Sequence, residues 1–88
     1  MSIKVIVSFE VEDFDTFKAG FDTGENARTE AGIAAEAFKN MDAPSNVWVV
    51  GTAPSKETFI SFFSAPTAQE RMRNAGVISA PTITLLES

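Results

Sequence analysis

An α+β fold with the element order β-α-β-β-α-β, built on a four-stranded antiparallel sheet with helices on one face, is predicted by three observations. The chain opens on IKVIVSFEV, which alternates with a period of two over nine residues. Two phenylalanine-striped segments of helical period follow separate strands. The segment NVWVVGTA is apolar on both faces, which marks a central strand.

The elements follow in order. In the opening strand Ile3, Val5, Val7, Phe9 and Val11 share one face, and Lys4, Ile6, Ser8 and Glu10 the other. The period then changes. Phe14, Phe17 and Phe21 stand at i, i+3 and i+7, the stripe of a helix packing on a sheet, and Asp13 is placed to cap its start. A break is expected near Gly24, with a second short helical piece through Asn26 to Ala31. IAAEAFKNM reads as a strand with Glu36 and Phe38 on one face and Ile33, Ala35 and Ala37 on the other, and MDAPSN reads as a turn. After the central strand, Ser55 caps a helix carrying Phe59, Phe62 and Phe63 inward, and Pro66 ends it. Thr67 to Glu70, TAQE, predicts a capping box for one more helix, Gly76 sits at its C-terminal glycine position, and Thr82 to Glu87 forms the last strand. Right-handed connections give the ferredoxin-like arrangement, with the first and third strands central, as one domain over residues 1–88.

Composition narrows the function classes. Of 88 residues, 44% are hydrophobic and eight are Phe. A chain this short buries only about 60–65% of its unfolded surface, so part of that apolar stock is expected to meet a partner. The net charge is −5 with the cations scattered, which argues against nucleic acid. No apolar stretch approaches the roughly 20 residues of a membrane span. Lys4 and Glu10 bracket a strand, so no secretory core is expected there, and the cytoplasm is the expected compartment. With no Cys and no His, thiol chemistry is excluded and no metal site is expected.

Helices cover one sheet face only. The other is expected to carry Ile6, Ser8, Phe38, Trp48, Val50 and Leu86, more contiguous apolar surface than suits a monomer, so a two-fold homodimer is predicted. Lys4, Glu10, Glu36, Asn40, Thr52 and Thr84 alternate into the same surface. Polar groups among aromatics suit a ligand cavity and also the wet rim of an interface, so Trp48 stands either as a pocket wall or as an interface residue.

The opening strand IKVIVSFEV, the segment ENARTEAGI, the turn NMDAPSNVWVV and the close AGVISAPTITLLE resemble the dimeric α+β-barrel superfamily, whose best-known branch is the antibiotic-biosynthesis monooxygenase-like proteins. The resemblance spans nearly the whole chain and carries no catalytic motif. It implies two ferredoxin-like sheets paired into a barrel, with functions ranging from cofactor-independent oxygenation to haem degradation and lactone isomerisation. Haem-degrading relatives hold iron through a histidine, which this chain lacks. Oxygenating relatives use an asparagine and a tryptophan, and Asn26 and Trp48 have those types without a local motif to align them.

The expected function is binding of a small apolar or aromatic ligand without a cofactor, with Ser8, Phe38, Trp48 and Arg28 as ligand-contacting candidates. Arg28 would meet a ligand carboxylate at the pocket mouth, or else pair with Glu25 or Glu30 at the surface. Glu36 is the acid–base candidate: enclosed in a barrel, its carboxyl would be desolvated and poised to accept a proton. The alternatives are a cofactor-independent monooxygenase or isomerase with Trp48, Phe38 and Glu36 lining its site, and a non-catalytic module whose exposed face meets a different protein. Asp22-Thr23-Gly24 repeats the triplet of retroviral aspartic proteases, but it ends a helix where those proteins set it after a strand.

Overall fold

The computed structural model describes residues 2–87, in which the β-α-β-β-α-β order holds with each helical segment split in two. Strand β1 (Ile3–Glu10) is followed by helices α1 (Phe14–Thr23) and α2 (Glu25–Glu30), strands β2 (Ala34–Asn40) and β3 (Ala43–Ala53), helices α3 (Lys56–Ser64) and α4 (Pro66–Asn74), and strand β4 (Thr82–Leu86). The sheet is antiparallel in the order β2-β3-β1-β4, so the two most apolar strands are central, and the helices lie on one face. None of the helices is long and apolar enough to cross a membrane.

Local chemistry sets the helix ends. The Asp13 carboxylate accepts from the Thr16 backbone N–H at 2.9 Å, and the Ser55 hydroxyl accepts from that of Thr58 at 3.1 Å. Gly24 closes α1 and opens α2, which is the expected break. Helices α2 and α4 both end in a Schellman motif. Gly32 and Gly76 take φ of 78° and 89°, and the N–H groups of Ile33 and Val77 reach back to the carbonyls of Arg28 and Met72.

Two expectations need correcting. The turn expected over MDAPSN shrinks to Met41 and Asp42, because Ala43 to Asn46 already run in β3. The register shifts between Lys39 and Asn40, so Pro44 falls in the irregular stretch, where a residue without an N–H is tolerated. The TAQE capping box also does not form. Helix α4 starts one residue earlier, with Pro66 in its first turn and no side-chain cap. Gln69 instead donates to the Phe63 carbonyl at 2.7 Å and satisfies the end of α3.

The core lies between the sheet and the helices. Val5, Val7, Phe9 and Val47 point into it from the central strands, and Phe17, Phe59 and Ala75 meet them from the helices. Phe9 and Phe17 pack edge to face with centroids 5.2 Å apart. Gly20 lets α1 approach α4 closely, since a Cβ there would stand 3.0 Å from that of Ala75.

Candidate functional site

Two regions on opposite sides of the sheet carry the candidate residues. On the uncovered face, strand register places Ser8 opposite Trp48 and Trp48 opposite Phe38, so these three candidates form one row across β1, β3 and β2. Phe38 is 49% exposed, Trp48 41% and Leu86 48%.

That row is tied together by Asn46, two residues before Trp48 on the same side of β3. Asn46 Oδ1 accepts from Trp48 Nε1 at 2.7 Å and from Asn40 Nδ2 at 3.0 Å. Its Nδ2 donates to Glu10 Oε2 at 2.7 Å and is 3.2 Å from Ser8 Oγ. Ser45 Oγ holds the other Glu10 oxygen at 3.1 Å, and Asn40 Oδ1 accepts from the Asp42 N–H at 2.9 Å. The irregular stretch of β3 thus supplies the polar part of this face and sets the indole plane. Sequence reasoning missed Asn46, although the i, i+2 spacing in Asn-Val-Trp was the signal. Asn26, by contrast, is exposed on α2, so the residue that partners Trp48 is Asn46. Glu36 projects from the same face opposite Val50 and is exposed in the single chain.

Arg28 does not join this row. It stands on α2, on the helix side of the sheet, at the rim of a cavity of about 110 Å³. Phe17, Phe21, Phe59, Phe62 and Met72 line that cavity from the helices, and Val7, Val49 and Gly51 from the sheet. Such a wall is almost wholly apolar. The volume approaches the ~150 Å³ at which a dry, Leu- and Phe-lined cavity takes up benzene. The Arg28 guanidinium lies 3.7 Å from the Phe21 ring centroid and makes no ion pair with Glu25 or Glu30; among the described residues the one ion pair is Lys18 with Asp22. Burial holds the Arg28 guanidinium below its usual range; Glu25 and Asp22 oppose that shift, and Arg71 adds to it. An arginine does not deprotonate in a protein, so the shift expresses a charge deprived of solvent. The phenylalanine stripes predicted the helix side of the sheet, but not that it would leave a gap.

A one-layer antiparallel sheet with four helical segments on one face defines the ferredoxin-like α+β class. No family model and no curated protein matches the chain. Solved structures do match. A candidate antibiotic biosynthesis monooxygenase from Bordetella bronchiseptica superposes with a TM-score of 0.81 at 17% identity, over 99% of this chain and 96% of that one. Another from Caulobacter crescentus gives 0.79 at 14% identity, over 99% and 89%. SnoaB, a cofactor-independent oxygenase from Streptomyces nogalater crystallised as a mutant, gives 0.74 at 11% identity, over 99% and 92%. The chain shares the fold of these antibiotic biosynthesis monooxygenase-like structures, and at these identities the likeness is one of fold.

Proposed function

We propose that this protein binds a small aromatic or aliphatic ligand, without a cofactor, in the cavity between its helices and its sheet, and works as a homodimer paired through the uncovered sheet face. The observation that carries the ligand reading is the phenylalanine-walled cavity, since a native core is ordinarily packed without such gaps. A neutral probe tests it. Indole titrated into the protein is expected to shift the methyl resonances of Met72 and Ala68, which line the cavity, and to leave exposed methyls such as Ile78 unmoved. Ala68→Leu, which fills the space from α4, is expected to weaken indole binding about tenfold or more, the scale of a lost buried side-chain contact. Shifts spread evenly over the surface would refute the cavity as the binding place.

A second reading, cofactor-independent oxygenation or isomerisation, is favoured by the Asn46–Trp48 hydrogen bond and by the fold shared with the Streptomyces nogalater oxygenase. In that reading the uncovered face of one copy, closed over by a second, forms the reaction chamber, with Ser8, Phe38 and Trp48 as its wall and Glu36 as the proton acceptor. Oxygen uptake with an oxidisable aromatic probe, abolished by Asn46→Ala and reduced by Glu36→Gln, is the result this reading requires. A protein that is monomeric at micromolar concentration removes both the chamber and the homodimer, and leaves the face to a different protein partner.

A further inference from the structure

Arg28 on α2 and Arg71 on α4 approach each other at the open side of the cavity. A Cβ built on Gly24 would stand 3.1 Å from Arg28 Nη1 and 2.8 Å from Arg71 Nη1, so the two guanidiniums converge above that glycine. Both side chains line the cavity rim, and below them the walls are Phe21, Phe17 and Met72. Among the described residues neither guanidinium has a carboxylate within salt-bridge distance. The nearby Asp22 carboxylate is engaged by Lys18 at 2.7 Å, and Glu25, which also faces Arg28, stays beyond ion-pair range. Two like charges from separate helices, one of them half-buried over an aromatic ring, repel each other, and Glu25 and Asp22 offset that cost only from beyond ion-pair range. An anion seated between them would remove that repulsion, and the planar donor forks of arginine suit the two oxygens of a carboxylate.

Resting on the cavity reading above, we infer that the ligand is an amphiphilic carboxylate, its carboxylate held between Arg28 and Arg71 and its ring or short chain in the phenylalanine-lined cavity. The cavity volume of about 110 Å³ limits the apolar part to about one ring. Gly24 belongs to the site as well, because any side chain there would occupy the space in which the two guanidiniums meet.

The test compares 3-phenylpropionate with its neutral amide by calorimetric titration of the intact protein, with the arginine Nε–H resonances followed in parallel. The acid is expected to bind about tenfold or more tightly than the amide, as a charge-assisted hydrogen bond requires, and to move the Arg28 and Arg71 signals together. The preference is expected to fall with added salt, to vanish in the Arg28→Gln/Arg71→Gln protein, and to return in part in Arg71→Lys, which keeps the charge and loses the fork. Equal affinity for acid and amide, with both entering the cavity, overturns the carboxylate clamp and leaves the cavity reading standing. Failure of both to bind overturns the two together. Preference for the acid that survives in the double variant places the anion elsewhere and overturns the assignment to these arginines.

Discussion

Asp13 accepts two hydrogen bonds from Thr16, one from its backbone N–H and one from its hydroxyl, each at 2.9 Å. The backbone bond is the larger cause, and together they hold the Asp13 carboxyl below its usual range, since both favour the charged form. The sign follows by linkage. A carboxyl whose folded pKa is depressed lends stability that is complete above its unfolded value and is lost as the pH falls through the folded value. Asp13→Asn keeps an acceptor for Thr16 and removes the titration. Denaturation midpoints measured from about pH 5 down to about pH 2 are therefore expected to fall less steeply in the variant than in the parent. An identical slope in the two proteins would show that the cap carries no acid sensitivity. Asn46 is the other residue whose role depends on its neighbours: five polar atoms from four side chains and one carbonyl surround its amide, which the residue type alone does not reveal.

Strand β3 is the element on which both candidate regions depend. Its alternation sends Asn46, Trp48 and Val50 to the uncovered face and Val47, Val49 and Gly51 toward the helices. At Gly51 the pairing with β2 is so close that a Cβ would stand 2.0 Å from the Ala34 carbonyl oxygen and 2.7 Å from the Ala35 Cα. Both are backbone atoms of the neighbouring strand, so they can yield only by moving β2. Gly51→Ala is expected to destabilise the fold by about 1–3 kcal/mol, read as a lower denaturant midpoint at an unchanged slope. An unchanged midpoint would mean that the β2 edge is soft. The strands, the helix stripes and the caps at Asp13 and Ser55 were legible in the sequence, because each is a local pattern whose period or capping chemistry is decided within a few residues. The start of β3 and the cap of α4 were not. Pro44 is at home in an irregular strand as well as in a turn, and Pro66 took the first turn of α4 ahead of Thr67. The row Ser8–Trp48–Phe38 could be anticipated from alternation, whereas the meeting of Arg28 with Arg71 joins helices more than forty residues apart and is decided by packing alone.

At the scale of the whole molecule, the division between a helix-covered face and a bare one governs assembly. The core withdraws Val5, Val7, Phe9 and Val47 from water and leaves Phe38, Trp48 and Leu86 in it. A second copy of the chain is the occupant proposed for that face, and sedimentation at micromolar concentration is expected to give a dimer. Phe38→Asp, placed beside Trp48 in the pairing row, is expected to raise the dissociation constant about tenfold or more, as for a charge buried at the centre of an interface. A monomer that stays monomeric at every concentration would end the barrel proposal. The arrangement also has an optical consequence. The chain has one tryptophan and no tyrosine, and all eight of its other aromatic rings are phenylalanines. Trp48 lies on the bare face with its indole N–H bound to Asn46, while the cavity is walled by phenylalanine. Near-ultraviolet emission from this protein therefore reports a single surface. Its colour on dilution follows the wetting of the pairing face, and the phenylalanine-walled cavity stays dark to that measurement.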